Sequence, residues 1–355
     1  MSDAAGASAE RRGAAGLIIL DRPQALNALT LPMVRLMARA LDAFERDSRV
    51  ERVVIASAGG RAFCAGGDIR LLYEQGKAGD HAAQLAFWRE EYQLNRRIKR
   101  YAKPIVALID GIVMGGGVGL SLHAAHRVAT ERCLFAMPEV GIGFFPDVGT
   151  SYALPRLASG VGALFAATGL RARAGDVVAL GLTQTFAPSA AMSTLTTALT
   201  ETGPTEAILA RFATPPPPGE LIGEAAKIRG WFASLDRRAV LDALAAASAG
   251  GSPLAGEALA AMQRTSPTSQ SIALRQMALG GGLTFEDAMR LDFRIVSRIC
   301  RGHDFYEGVR ATLIDKGDAP LWRPGFEEPI DERAIEAYFA PLPESEELSF
   351  PEIVA

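Results

Sequence analysis

The 355-residue sequence is short of cysteine and histidine and lacks long apolar runs. Its three cysteines, Cys64, Cys133 and Cys300, lie far apart and form no CxxC pair. That spacing argues against a disulfide framework or a zinc finger and favours a reduced, intracellular setting. The four histidines have no partner cysteine or carboxylate at ligand spacing, so we expect no metal site. No apolar run reaches the ~18 residues that a membrane-spanning helix needs, so no membrane association is expected.

Neither sign of charge dominates the sequence. Thirty-seven Lys and Arg residues stand against 40 Asp and Glu residues, a net charge of −3. This balance gives no net attraction to nucleic acid or to an anionic membrane. The N-terminal segment has Asp3 and Glu10 beside Arg11 and Arg12 and no apolar core typical of a secretory signal. We therefore expect a cytoplasmic protein whose residues 1–15 form a disordered tail.

The first half of the chain alternates short apolar runs with helical patterns. Val34, Met37, Leu41 and Phe44 recur at helical spacing after Thr30, a suitable N-cap. A second helix is predicted over residues 81–101, and a glycine turn leads into a third over 119–125. Strands are predicted at residues 17–20, 52–57, 104–109, 127–129 and 134–136. This alternation predicts an α/β fold.

The second half is mostly helical. A short strand is possible at residues 184–187, and the prolines of residues 214–219 predict a stiff connector. The acidic, proline-containing end, from about residue 327, is expected to pack loosely. We predict a core domain over residues 16–205 and a helical extension over residues 206–355, packed on that core.

Two glycine-rich turns follow predicted strands, at Phe63–Asp68 and Gly111–Gly119. Glycine allows the backbone to approach a ligand closely, and a helix N-terminus supplies unpaired N–H donors. Two N–H groups that converge from such turns form an oxyanion hole. Taken alone, each turn is more simply explained as a tight strand–helix connection. Dinucleotide binding is not favoured, because the G-x-G-x-x-G spacing is missing and two strands precede the second turn. Neither turn has the P-loop pattern.

These segments resemble the crotonase (enoyl-CoA hydratase/isomerase) superfamily, whose motifs occur here in the family's order. The matching pieces are LDRPQALNAL (20–29), AFCAGGDI (62–69), KPIVALIDG (103–111) and MGGG (114–117). The resemblance implies a crotonase-type β/α spiral core followed by a helical C-terminal region. Further segments resemble one branch, the 3-hydroxyisobutyryl-CoA hydrolases. They are FWREEY (87–92), RVATE (127–131), LFAMPE (134–139), GFFPDVG (143–149), SPTS (266–269) and RGHDF (301–305).

The resemblance also implies the roles of individual residues. The N–H groups of Gly67 and Gly116 would hold the thioester oxyanion, and Glu139 and Asp147 would be the catalytic acids. Glu91 would contact the 3-hydroxyl of the substrate, although a solvated helix charge is an equal alternative. Ala28, Leu29, Gly67, Asp68, Ile69 and Arg70 would border coenzyme A (CoA). Asp68 is more simply explained as a brace for its own turn.

One position departs from the hydratase pattern. Hydratases carry a second glutamate three residues after the middle glycine of the GGG turn, and here that position is Gly119. Hydration needs both glutamates, so we expect hydrolysis of a short β-hydroxyacyl-CoA, most simply 3-hydroxyisobutyryl-CoA, with no cofactor besides the CoA of the substrate. The alternatives are an enoyl-CoA hydratase or isomerase and a non-catalytic acyl-CoA-binding protein. A homo-oligomer is possible.

Overall fold

The computed structural model describes residues 2–3 and 6–350. Within them the chain forms two units, each built from three segments. The first unit contains the residues up to Asp68 together with Leu94–Ala136 and Arg171–Gly223. The second contains Ile69–Gln93, Met137–Leu170 and the residues from Glu224 onward. The structure departs from the predicted division at residue 205, because two early segments pack in the same unit as the C-terminal helices.

The strands of the described residues all belong to the first unit. They are β1 (Ser2–Asp3), β2 (Ala7–Arg12), β3 (Ala15–Leu20), β4 (Arg52–Ser57), β5 (Ala62–Cys64), β6 (Ile105–Ile109), β7 (Ile112–Met114), β8 (His126–Ala129), β9 (Leu134–Ala136), β10 (Ala172–Arg173) and β11 (Thr185–Phe186). The strands predicted in this region are therefore confirmed: the bounds of two match and those of the others differ by one or two residues at an end.

The α-helices continue through both units. They are α1 (Leu31–Arg46), α2 (Ile69–Lys77), α3 (His81–Lys99), α4 (Gly116–Ser121), α5 (Thr150–Ala153), α6 (Val161–Thr168), α7 (Ala174–Ala179), α8 (Met192–Ala198), α9 (Thr205–Ala210), α10 (Ala225–Trp231), α11 (Arg237–Ala249), α12 (Pro253–Arg264), α13 (Pro267–Gly280), α14 (Phe285–Ile299), α15 (His303–Val309) and α16 (Glu332–Phe339). The helix predicted over 119–125 begins three residues earlier than expected, at Gly116. No helix of the described residues is long and apolar enough to span a membrane.

Two sheets organise the first unit. The larger has the strand order β1-β2-β3-β4-β6-β8-β11 and the smaller has the order β10-β9-β7-β5. Strands β3, β4, β6, β8 and β11 run parallel to one another in the larger sheet, whereas β1 and β2 join its edge in antiparallel pairing. Each of the successive pairs β4/β5, β6/β7 and β8/β9 places its first strand in the larger sheet and its second in the smaller. The α/β class and the spiral course of the chain are thus confirmed.

The larger sheet buries one face against α8 and α9. Alternate residues of its strands point to that face, because successive side chains of a strand lie on opposite sides. The cluster contains Ala15, Leu17, Val54, Ala56, Val106, Leu108 and Val128 from the sheet and Leu195, Leu199, Ile208 and Leu209 from the α8–α9 region. The continuous apolar runs of the sequence therefore become strands that are buried on both faces, as is typical of parallel sheets.

Side-chain caps fix where the helices begin. Thr30 caps α1 by accepting a hydrogen bond from the N–H of Met33 at 3.4 Å, as its sequence position predicted. In the second unit Asp236, Ser252, Ser266 and Thr284 cap α11, α12, α13 and α14 in the same way. Each cap satisfies an N–H that the helix cannot pair internally.

Both chain ends differ from expectation. The predicted disordered tail over residues 1–15 is wrong for Ala7–Arg12, which forms a full antiparallel ladder with β3. Its residues 1, 4 and 5 lie outside the described residues. The C-terminal part is not loosely packed up to residue 350: Ile335 and Phe339 of α16 are buried, and Arg294 pairs with Glu347 at 2.7 Å. The amphipathic spacing of α16, hidden among prolines and acids, gives it a buried face. Residues 351–355 of that predicted tail lie outside the described residues.

Arg52, the first residue of β4, ties that strand to the segment after α8. Its side chain is 1% exposed. Its guanidinium donates to the carbonyls of Leu199 at 2.8 Å and Glu201 at 2.6 Å and to the Thr205 hydroxyl at 3.0 Å. It also donates to the carbonyl of Gly203. One planar fork thus satisfies the buried acceptors of Leu199 and Thr205 together with the carbonyls of two exposed residues, Glu201 and Gly203.

We predict that Arg52→Met destabilises the fold by about 3 kcal/mol, since the two buried acceptors of Leu199 and Thr205 lose their donor at once. Arg52→Lys should recover only part of the loss, because an ammonium cannot reproduce the fork. Urea unfolding monitored by circular dichroism measures the effect. Arg49→Met, at an exposed arginine that contacts Asp47, is the control and should change stability little. Equal stability of Arg52→Met and Arg49→Met would contradict the role assigned to Arg52.

Candidate active site

Asn27 holds the first glycine turn, which follows β5. Its buried side chain donates to the carbonyls of Ala62 at 2.9 Å and Phe63 at 3.1 Å, while its Oδ1 accepts the N–H of Arg22 at 2.7 Å. Asn27 itself has a φ of +57°, a left-handed conformation that asparagine tolerates better than most residues. The LNAL motif therefore supplies a clamp for the turn that carries Gly67.

Leu29 lines up directly with Gly67 in an isolated parallel bridge. The N–H of Leu29 donates to Gly66 at 2.8 Å, and its carbonyl accepts the N–H of Asp68 at 2.8 Å. These two bonds leave the N–H of Gly67 outside the bridge. The Asp68 carboxylate pairs with Arg22 at 2.8 Å, which fits the predicted bracing of this turn.

The second glycine turn packs against the first. Gly115 has a φ of +49° and precedes α4, so the N–H of Gly116 lies in the first turn, where no intrahelical acceptor exists. A Cβ on Gly117 would lie 2.2 Å from the carbonyl oxygen of Cys64, so only glycine fits there. A Cβ on Gly66 would lie 3.7 Å from the nitrogen of Gly116. The two turns are therefore neighbours within the first unit.

The second unit buries three of the predicted acidic residues. Glu91 lies on α3, Glu139 begins a 3-10 helix (Glu139–Ile142), and Asp147 lies on the loop that leads to α5. Their exposed fractions are 2%, 7% and 4%. Acidic residues are rarely buried so completely. The structure thus brings Glu91, Glu139 and Asp147 into one cluster of interacting charges.

An aromatic wall lies in the same unit. Trp88, one turn before Glu91 on α3, stacks on Phe144 with ring centroids 5.5 Å apart. Phe144 also contacts Phe145 at 4.6 Å and Phe305 at 5.7 Å. All four rings are buried. Two rings of the GFFPDVG segment, Phe144 and Phe145, therefore belong to a buried apolar cluster in the same unit as the three acids.

Burial raises the pKa of each acid in the cluster. The pKa of Glu91 lies well above its ordinary value through burial, then through the charges of Asp147 and Glu139. Burial and the charge of Asp147 likewise raise the pKa of Glu139. Burial raises the pKa of Asp147 to about 7, against the opposing effect of a hydrogen bond from Tyr92. A carboxyl group with a pKa near neutrality can both accept and donate a proton at physiological pH.

One oxygen on each glutamate is unpaired. Among the described residues, Glu91 Oε1 and Glu139 Oε2 are buried and have no hydrogen-bond partner. A buried polar atom without a partner is rare in folded proteins. These two oxygens are therefore the free acceptors of the cluster, suited to a hydroxyl group or a water molecule. No group of three or more His, Cys, Asp or Glu residues suited to a metal ion occurs in the described part of the chain.

Sequence reasoning missed two residues that contact this cluster or its loop. The hydroxyl of Tyr92, whose side chain is fully buried, donates to Asp147 Oδ2 at 2.7 Å. Asp292, also fully buried, accepts the N–H of Gly149 at 3.0 Å. A usable signal existed for Asp292, because it lies on the apolar face of α14, four residues after Ala288. Tyr92 stood inside a quoted motif, but spacing alone did not show which way it points.

The residues predicted to border CoA are distributed over both units. Ala28, Leu29, Gly67 and Asp68 belong to the first, whereas Ile69 and Arg70 begin α2 of the second. The side chain of Leu29 is fully buried, and exposed Arg70 donates to the carbonyl of Leu313 at 2.7 Å. Their role in binding CoA stays a prediction.

A sequence model described as enoyl-CoA hydratase/isomerase matches residues 15–339. The chain belongs to the enoyl-CoA hydratase/isomerase family. Curated relatives of this chain include proteins named mitochondrial 3-hydroxyisobutyryl-CoA hydrolase. The one from Rattus norvegicus is 43% identical over 94% of this chain and 88% of its own length. The one from Homo sapiens is 40% identical over 95% of this chain and 89% of its own length.

Two solved structures of the family are also similar over nearly the whole chain. A carnitinyl-CoA dehydratase from Mycobacterium thermoresistibile has a TM-score of 0.91 and 38% identity, covering 97% of this chain and 98% of its own. An enoyl-CoA hydratase from Rhodobacter sphaeroides has a TM-score of 0.90 and 39% identity, covering 97% of this chain and 100% of its own.

The expected cytoplasmic location is wrong in the light of these relatives. The curated family members compared here are named mitochondrial proteins. The expectation rested on the composition of the first residues and on the cysteine spacing, and neither of these identifies the subcellular compartment reliably.

The cluster has a consequence for stability. The pKa of Asp147 is higher in the folded chain, about 7, than in the unfolded chain, about 4. The stability that Asp147 contributes to the folded chain is therefore fully present below about pH 4 and is lost as the pH rises through about 7. Asp147→Asn should raise the melting temperature at pH 8 by about 2 °C or more, with little change near pH 4.

Differential scanning fluorimetry across pH 4–9 tests this prediction. Glu257→Gln, at an exposed position on α12, is the matched control and should show no pH-dependent gain. A lower melting temperature for Asp147→Asn than for the unaltered protein at pH 8 would show that burying this charge does not cost stability.

Proposed function

We propose that the protein hydrolyses 3-hydroxyisobutyryl-CoA to 3-hydroxyisobutyrate and free CoA. The observation that carries the proposal is the buried pair Glu139 and Asp147, each with a raised pKa. The names of the curated relatives support the same reaction. The substrate is a small-molecule acyl-CoA, and the reaction needs no cofactor beyond the CoA that the substrate carries.

In the proposed mechanism the N–H groups of Gly67 and Gly116 stabilise the negative charge that develops on the thioester oxygen. Glu139 takes a proton from water, whose oxygen attacks the carbonyl carbon; alternatively, its carboxylate attacks first and water then opens the mixed anhydride. Asp147 polarises the water or protonates the departing thiolate. The carbon–sulfur bond breaks, giving a carboxylate and a free thiol. Both routes depend on proton transfer and on stabilisation of the developing negative charge.

Glu91 is proposed to accept a hydrogen bond from the 3-hydroxyl of the substrate. Its unpaired Oε1 supports this assignment over the solvated charge that was equally possible from the sequence. A substrate that lacks the hydroxyl would leave this buried oxygen unpaired, which typically costs 1–3 kcal/mol. Discrimination of about tenfold or more against the deoxy acyl-CoA follows.

Hydration of an enoyl-CoA is the second candidate, favoured by the names of the two similar solved structures. Position 119 argues against it. Helix α4 carries glycine there, buried and without a side chain, so this helix supplies no second glutamate. The acidic partner of Glu139 comes instead from the loop that carries Asp147.

We also propose a homo-oligomer, which light scattering tests directly.

Thiol release from 3-hydroxyisobutyryl-CoA tests the proposed reaction. We predict that Glu139→Gln lowers kcat by about 10²-fold or more, the usual contribution of a general base. Glu257→Gln on α12 should leave the rate unchanged. Near-unaltered thiol release by Glu139→Gln would contradict the mechanism. Loss of crotonyl-CoA absorbance would favour the hydratase. CoA binding by calorimetry without thiol release from any acyl-CoA would indicate a non-catalytic binding protein.

Tyr92→Phe tests the role of Asp147 through pH. The Tyr92 hydroxyl lowers the pKa of Asp147 by donating to its carboxylate, so its removal raises that pKa above about 7. The limb of the kcat–pH profile that reports Asp147 should move to higher pH, whether the residue acts as a base or as an acid. Tyr101→Phe, whose hydroxyl contacts the carbonyl of Leu41, is the control. If the kcat–pH profile of a folded Tyr92→Phe protein does not move, Asp147 is not the group that titrates in that limb.

A further inference from the structure

Asp292 uses both carboxylate oxygens inside the second unit. Its Oδ2 accepts the N–H of Gly149 at 3.0 Å, and its Oδ1 accepts the side-chain amide of Gln276 at 3.0 Å. Both side chains are fully buried, Asp292 on α14 and Gln276 on α13. Within the described residues Asp292 forms no ion pair with Lys, Arg or His. A carboxylate is an expensive group to bury without such a pair, so simple filling of the core does not explain it.

Gln276 continues the same chain of hydrogen bonds. Its Nε2 also donates to the carbonyl of Pro146 at 3.1 Å. The two side chains therefore hold the backbone on both sides of Asp147, at the residue before it and at the second residue after it. Thr150 adds a further contact, because its N–H donates to the carbonyl of Asp147 at 2.9 Å.

The backbone of this loop needs external support. Val148 has a φ of +53° and Gly149 a φ of +80°. A β-branched residue is strongly disfavoured in the left-handed region and persists there only where its surroundings fix the conformation. The contacts to Pro146 and Gly149 are placed where they fix this turn, and the turn decides where the Asp147 carboxylate points.

We propose that Asp292 and Gln276 form a positioning pair that holds the Asp147 loop in its reactive conformation. The pair rests on the proposed function, because it acts through Asp147 and does not itself touch the substrate. Tyr92 fixes the side chain of Asp147 from α3, while the pair fixes its backbone from α13 and α14.

Asp292→Asn and Gln276→Met test the pair. An asparagine offers one acceptor and one donor where two acceptors are required, so the amide of Gln276 must turn and lose Pro146. Each variant should lower kcat by about 10–100-fold, the usual effect of removing a partner that orients a catalytic group. KM should change less than about threefold, because the pair does not touch the substrate. The double variant should lose no more than either single variant, because the two residues act as one unit.

Gln270→Met is the matched control. Gln270 is also a fully buried glutamine of α13, but it donates to the carbonyls of Met262 at 2.6 Å and Thr265 at 3.1 Å, on the connection to α12. Its loss should lower the melting temperature about as much as that of Gln276 while leaving kcat near that of the unaltered protein. An equal kcat loss in Gln270→Met, or additive losses in the double variant, would overturn the pair.

Hydrogen exchange measured by mass spectrometry reads the pair independently of activity. Peptides that cover residues 144–152 should exchange at least about tenfold faster in Asp292→Asn and Gln276→Met than in Gln270→Met. Unchanged exchange in both variants would overturn the proposal. If the unaltered protein releases no thiol from any acyl-CoA, the proposed function fails. If it does so and the folded variants match its kcat, only the positioning pair fails.

Discussion

Burial of negative charge is the constraint on which the second unit depends. Glu91, Glu139, Asp147 and Asp292 are almost inaccessible to solvent, and in the described part of the chain none forms an ion pair with Lys, Arg or His. Desolvated acids that lack a cation keep their protons to unusually high pH. The protein therefore holds carboxyl groups that keep their protons near neutral pH, where the same groups in water would be fully ionised. Such groups are useful in proton transfer and unfavourable for stability, a combination typical of catalytic sites.

The surroundings of the acids are built to maintain this state. The rings of Trp88, Phe144 and Phe305 form a buried apolar cluster in the same unit, and in the described part of the chain no Lys, Arg or His donates to these carboxylates. Tyr92 supplies one hydroxyl to Asp147, and Gln276 supplies one amide to Asp292. Neutral donors restrain a carboxylate without neutralising it, whereas an arginine would lower its pKa and make it a poor base. Charge and geometry are thus controlled by separate residues.

The first unit solves a different problem, the close approach of two backbone segments. Gly117 lies against the carbonyl of Cys64 at a distance that no side chain permits, and Asn27 clamps the facing turn. Here the reactive groups are main-chain N–H donors, so residue type matters only through the space and conformation that it allows. This explains why glycine and asparagine, and not charged residues, stand at Asn27 and Gly117, where the two turns approach each other.

The amino-acid sequence by itself determined the α/β class, helix α1, most of the longer strands and the two glycine turns. The candidate acids Glu139 and Asp147 came from the resemblance to a known family. Hydrophobic period, caps and short motifs are local properties, and they are legible without coordinates. The resemblance to a known family added the assignment of residues to roles. The substitution at Gly119 was equally legible, since it needs only a count from the GGG turn.

Tertiary structure alone decided which distant residues meet. Asp292 lies 145 positions after Asp147, and the contact of its carboxylate with the Gly149 N–H depends on how α14 packs within the second unit. The early segments 69–93 and 137–170 join the C-terminal helices for the same reason, which no linear boundary at residue 205 could express. The strand at Ala7–Arg12 and the packed segment around α16 were also missed, because these segments become ordered by packing against residues distant in the sequence. Long-range packing sets burial, and burial sets the pKa values on which the proposed chemistry rests.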